Sequence, residues 1–238
     1  MILLVKRKNA ALILLILFLS IAIFSIDGGV DPMTETTAKE KVGPVVVVDA
    51  GHGGEDPGKV SSFSSMAEKD LNLRIAQLLK DQLEQDGYTV IMTRTEDKLN
   101  YSGATEIYQK RKQDLNARKK TIDESGADIA ISIHMNAFTD SKYFGAQTFF
   151  PPSSTDSERL AKSLQNSLIS GCDPTNKRTA LLKQERIVLF RNLKVPTVLI
   201  ECGFLSNEAE EAKLKTLEYQ ELIAKSIKQG IDSFFGKQ

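Results

Sequence analysis

Only two histidines occur in the 238 residues, and each sits where an apolar run ends: His52 in VVVVDAGHGGEDPG and His134 at the close of ADIAISIH. Imidazole nitrogen suits zinc, and a catalytic zinc site takes three protein ligands and leaves one position for water. A third ligand is therefore required. Glu68 begins the amphipathic stretch after the Gly-rich loop, which should bring its carboxylate near the strand end that carries His52; its other role would be a favourable charge at a helix N-terminus. Glu55, Asp56 and Asp70 are rivals by position, and spacing alone does not rank the four. Glu201 closes a further apolar run, VPTVLIE, and could join the same edge, pair with an arginine or cap a helix.

A Gly-rich loop after a buried strand can also wrap phosphate. The dinucleotide fingerprint started at Gly51 fits Gly53 but meets Asp56 where its third glycine belongs, and Gly58-Lys59-Val60 lacks the hydroxyl of a phosphate loop. The loop is better read as the carrier of a histidine.

These residues need strands to align them. PVVVVDA is continuous enough for a strand buried on both faces. EKDLNLRIAQLLKDQLEQDG sets Leu71, Ile75, Leu78, Leu79 and Leu83 on one helical stripe and stops at Gly87. YTVIMTR is a short strand; a polar segment from Thr95 to about Gln113 then leads into a helix through LNARKKTIDESG. ADIAISIHMNA is a second buried strand, and GAQTFFPP reads as an edge strand because prolines stop a ladder. SERLAKSLQNSLIS is a helix, NLKVPTVLIECG a strand and EYQELIAKSIKQGIDSFF the last helix. This order predicts one α/β domain over residues 44–238, a mostly parallel mixed sheet flanked by helices, with the site at the C-terminal ends of the strands.

Acidic and basic residues balance at 31 each, which gives nucleic acid no electrostatic footprint. Lys6, Arg7 and Lys8 precede an uncharged stretch from Ala10 to Ile26, long enough for a thin bilayer. Residues 1–26 read as a signal anchor or signal peptide; no convincing pair of small residues marks a cleavage point near Ser25, which favours the anchor. The basic side then stays inside, and the rest of the chain is exported. Residues 27–43, with Gly, Pro and Thr and no apolar period, read as a flexible tether. Cys172 and Cys202 form one disulfide or remain two thiols.

In order along the chain, VDAGHGGEDPG, EKDLNLRIAQLLKDQLEQDGYTVIMTR, ADIAISIHMNA and VPTVLIECGFLSN resemble the signatures of the zinc-dependent N-acetylmuramoyl-L-alanine amidases, peptidoglycan hydrolases of mixed α/β fold. The resemblance runs from about Val45 to the C-terminus. It implies one zinc ion per chain with His52, Glu68 and His134 as metal ligands, Glu201 as the catalytic carboxylate and peptidoglycan as substrate. Asn136 would bind substrate or make a local turn bond, and Arg118 matches a recurrent arginine whose structural reading is a helix-surface ion pair. Cys202 should face away from Glu201.

Many relatives carry an Arg-Gly pair where this chain reads TNKRTALLKQER, which puts substrate contacts from that segment in question. The N-terminal anchor, LNYSGATEIYQKRKQDL and KRTALLKQERIVLFRN are most similar to the germination-specific branch, whose members act on spore cortex and prepare muramic acid for conversion to muramic-δ-lactam. No wall-binding repeat is recognisable, so localisation falls to the anchor, the active-site groove or a helper protein. Two other readings share these residues: a zinc peptidase cutting within the stem peptide, and a non-catalytic wall-binding module.

Overall fold

Four consecutive valines leave a strand no polar face, and β1 (Val45–Ala50) lies inside the sheet with Val46, Val47 and Val48 fully buried. The computed structural model describes residues 43–152, 154–183 and 187–237; the anchor of residues 1–26 and nearly all of the tether fall outside them. No helix among the described residues is long and apolar enough to cross a membrane.

The other elements are α1 (Glu68–Gln85), β2 (Thr89–Met92), α2 (Ile107–Glu124), β3 (Ile129–Asn136), β4 (Gln147–Phe150), α3 (Thr155–Cys172), β5 (Leu181–Leu182), a 3-10 turn at Val188–Phe190, β6 (Thr197–Phe204), α4 (Glu208–Leu214) and α5 (Leu217–Phe235). Six strands form one mixed sheet in the order β2-β1-β3-β6-β4-β5. β2, β1, β3 and β6 run parallel, whereas β4 is antiparallel to β6 and parallel to β5.

Alternation along the strands divides the molecule. Val46, Val48, Ile129, Ile131, Ile133, Val198 and Ile200 face a large core with α1, α3 and α5. The opposite face has only a small apolar cluster, Val47, Ile122, Ala130, Leu189 and Val195. Polar groups fill much of the space there, and the candidate site lies on this face.

Two expectations change, and one short helix is new. GAQTFFPP is not an edge strand, because the two-residue β5 pairs beyond it through Phe149 with Leu181 and Phe150 with Leu182; the prolines follow the strand rather than interrupt it. The second helix begins at Ile107, well before Gln113. Its buried residues are Asp114, Arg118 and Ile122, so this helix docks largely through charge and has no apolar period to betray its first turns. α4 is too short for a period, although Asn207 caps it by accepting from the Glu210 amide. Cys172 and Cys202 are both free thiols.

Candidate metal centre

The loop after β1 is shaped from beneath by two buried arginines. Arg94 donates through Nε to the Ala50 carbonyl at 2.8 Å and through Nη2 to those of Gly51 and Lys69. Arg118 donates to the carbonyls of Ala50 and His52. Its ion pair with Asp114 is the one helix spacing suggests, yet it lies in the interior, 3 % exposed, and extends to Asp49 at 2.9 Å. The surface reading of Arg118 is thus corrected: an arginine so buried needs both carboxylates and the carbonyls to replace water. Burial alone would raise the Asp49 pKa, but Arg118, Ser132 and Thr93 outweigh it and bring the group down to about 2.

Held in this way, His52 adopts a left-handed backbone, φ 61°, and turns its ring toward the sheet edge. Its Nδ1 lies 2.8 Å from Asp56 Oδ2, and its Nε2 3.2 Å from Glu68 Oε1. His134 Nδ1 is 3.0 Å from the same Glu68 oxygen. The Glu68 carboxylate is fixed by the backbone amides of Met135 and Lys59 and by Asn72. One ligand atom from each of His52, Glu68 and His134 lies within 4.8 Å of the others. Two imidazoles and a carboxylate at that spacing are a donor set that fits a divalent metal of the zinc type.

The rival acids have other partners or positions. Glu55 pairs with Lys110 and Tyr101, Asp70 is exposed, and Asp56 orients the far side of the His52 ring, as outer carboxylates do for ligating histidines. Arg111 in turn holds Asp56 at 3.2 Å.

Glu201 lies directly across from His134 in the β3–β6 ladder. Its Oε2 is buried and has no hydrogen-bond partner among the described residues. Burial pushes its pKa up, with nearby Glu68 adding to the rise and His134 opposing it. A buried carboxylate oxygen left without a donor beside three potential ligands supports a cation or a proton at this spot. Cys202 points into the opposite core, as strand alternation requires.

Two glycines make room for the rings. A Cβ on Gly51 would stand 2.2 Å from His134 Cε1, and one on Gly58 would meet Glu68 Oε2 at 2.6 Å and His52 Cδ2 at 2.7 Å. Gly51 and Gly58 are therefore clearance for three side chains. Beside the cluster, a cavity of about 270 Å³ is lined by His52, Asp56, Arg111, Arg118, His134 and the 3-10 turn. Asn136 makes the local bond, its Oδ1 accepting from the Ala137 amide at 2.8 Å.

A family model described as N-acetylmuramoyl-L-alanine amidase matches residues 46–233, which reaches into every element described above. The chain belongs to this amidase family. Its relatives hydrolyse the amide that joins N-acetylmuramic acid to L-alanine in peptidoglycan, and the chain is an enzyme of that class. The germination-specific N-acetylmuramoyl-L-alanine amidase of Bacillus subtilis is 38% identical over 194 residues, 81% of this chain and 80% of the relative. Among solved structures, the CwlD amidase of Clostridioides difficile, in complex with the GerS lipoprotein, is 42% identical with a TM-score of 0.79, covering 81% of this chain and 98% of that one. An N-acetylmuramoyl-L-alanine amidase from Clostridium difficile 630 is 32% identical, TM-score 0.72, over 83% and 99%. The mixed sheet and its flanking helices are the amidase catalytic fold.

The sequence missed Asp49, Arg94, Asp114 and Gln147, which position or flank the candidate site. Asp49 and Arg94 carried a cue, each a charge at the end of an apolar run, VVVV and TVIM.

Proposed function

We propose that the chain is a zinc-dependent amidase that removes stem peptides from peptidoglycan during spore cortex maturation, the step that precedes muramic-δ-lactam formation. The carrying observation is the His52, Glu68 and His134 cluster with Glu201 across the ladder from His134, its buried Oε2 without a donor among the described residues. In this reading His52, Glu68 and His134 hold one zinc ion. Bound zinc supplies Lewis acidity, which acidifies water and polarises a carbonyl oxygen. Asp56 keeps the His52 proton on Nδ1 and leaves Nε2 for coordination. Glu201 takes the proton of the attacking water and returns it to the departing alanine nitrogen; its raised pKa suits a group that must hold that proton between the two steps.

The cortex role draws on the likeness to the germination-specific relative, and the solved complex with a lipoprotein supports a helper protein for this chain also. Export by the segment 1–26, with 27–43 as tether and 44–238 as the catalytic domain outside the cytoplasm, completes the proposal.

The test uses the full chain, loaded with zinc in detergent, on purified peptidoglycan with and without a host extract, with new ends identified by mass spectrometry. Free L-alanine amino termini on released peptides are expected. Cuts within the peptide would make the protein a peptidase, and a zinc-loaded chain that never cuts would be a binding module. In a spore-forming host, unaltered muramic-δ-lactam after deletion would remove the cortex role.

Metal uptake should also depend on pH in a defined direction. Burial disfavours the charged His52 ring, but its bonds to Asp56 and Glu68 prevail and raise its metal-free pKa from 6.5 to about 9. Zinc must therefore displace a proton near neutrality, and its apparent affinity should rise roughly tenfold per pH unit up to about pH 9. The same proton stabilises the metal-free fold fully below pH 6.5, and that contribution is lost as pH rises through about 9. Calorimetry in buffers of different ionisation heat measures the released proton; uptake independent of pH would refute the assignment of His52.

A further inference from the structure

On the β4 side of the metal centre, Asn136, Phe138, Tyr143, Phe204 and Arg178 line a cleft of about 290 Å³. A second cleft of about 440 Å³ shares Tyr143 and Arg178 and adds Lys142, Phe144, Asn176 and Lys177. Exposed aromatic rings gather here: Phe138 is 56%, Phe144 45% and Tyr143 39% exposed.

Arg178 is built into this cleft with one donor left over. Its Nε donates to the Phe144 carbonyl at 2.7 Å and its Nη1 to Gln147 Oε1 at 2.8 Å, while Nη2 has no hydrogen-bond partner among the described residues. The guanidinium lies 4.6 Å from the Phe204 ring centroid and 5.8 Å from that of Tyr143, which fix its plane. Lys142 is paired with Asp140, whereas Lys177 and Arg178 have no ion-pair partner among the described residues. The nearby acid, Glu210, engages the backbone amides of Gly145 and Phe204.

The connection to the metal centre is short. Gln147, which takes the Arg178 bond, is the direct cross-strand neighbour of Glu201, so the two side chains share one face of the sheet. A guanidinium of fixed plane with an open donor, in a cationic cleft, is suited to a carboxylate. Peptidoglycan stem peptides carry free carboxylates beyond L-alanine, on the leaving side of the bond that is cut.

We propose that Arg178, braced by Phe204 and Tyr143, binds a carboxylate of the stem peptide beyond L-alanine and makes the enzyme selective for acidic stem peptides. The proposal rests on the amidase reading and names the part of the substrate that the β4 side of its site recognises.

The test compares kcat/KM of the full, zinc-loaded chain on two synthetic muramoyl peptides, identical except that the peptide carboxylates are free in one and carboxamides in the other. Wild-type protein is expected to prefer the free acid by about ten- to a hundredfold, the range for a charge-assisted hydrogen bond. Arg178→Ala should erase that ratio by slowing the acid substrate alone, and Arg178→Lys should restore part of it. Equal wild-type rates on the two substrates, or an unchanged ratio in Arg178→Ala, would overturn the proposal; a merely structural loss lowers both rates together and leaves the ratio intact. Wild-type protein that cleaves neither substrate, with or without host extract, overturns the amidase reading and this proposal together, a result distinct from equal cleavage of both.

Discussion

Glu201→Gln is expected to keep its fold and its zinc while amide hydrolysis falls by about a thousandfold, within the range that a general acid-base residue contributes. The side chain keeps its volume, so the ladder that sets position 201 against His134 is undisturbed. What disappears is the ability to accept a proton and give it back. A second signature should accompany the loss. Burial raises the folded pKa of Glu201, so above that pKa its ionisation works against the metal-free fold, and that penalty fades as pH falls below the ordinary carboxylate value. The amide has no such penalty, and metal-free Glu201→Gln should melt above the wild type at neutral pH. Metal analysis, melting curves and product counts decide the matter together; full activity would exclude Glu201 from the chemistry.

Gly51→Ala should weaken zinc binding by at least about a hundredfold. The new methyl would lie 2.2 Å from His134 Cε1, 2.4 Å from Nε2 and 2.6 Å from Nδ1, so ring and methyl cannot coexist. The loop has little freedom to yield: the Gly51 amide donates to the Ile133 carbonyl at 3.0 Å, and its own carbonyl accepts from both Arg94 and Asn72. Gly51 is absent from the left-handed region that several loop residues adopt, so alanine brings no backbone strain and the collision is its whole effect. The imidazole must therefore leave its place beside Glu68. Changes to groups that merely orient a ligand already cost ten- to a hundredfold in metal affinity, and displacing a ligand costs more. Zinc titration with far-ultraviolet circular dichroism as the folding control tests this; wild-type affinity in the variant would mean that His134 does not bind the metal.

The legible parts of this protein were those with a short period. Apolar runs located β1, β3 and β6, and strand ends then gathered His52, His134 and Glu201 on one edge, because chain direction and sheet pleat alone decide where those residues emerge. Glu68 could not be separated from Asp56 by spacing, since the difference lies in the path of a loop whose shape is set by distant arginines. The family resemblance chose Glu68, and it is the acid that lies between the two rings. Arg118 and Asp114 were misread or unseen because a buried polar network leaves no hydrophobic pattern. β5, with two residues, has no pattern to leave.

Arg94 and Arg118 grip the loop by its carbonyl oxygens, which every residue type possesses. The loop can therefore accept new side chains at its outward positions, such as Glu55, without losing its course. Inheritance is constrained elsewhere: Arg118 is buried between Asp49 and Asp114, and a lineage that loses either carboxylate must find another partner for it, since an interior guanidinium short of counter-charge is poorly tolerated. For the protein engineer, the rim of this candidate site is open to diversification, and the charges beneath it must be exchanged as a set or left alone.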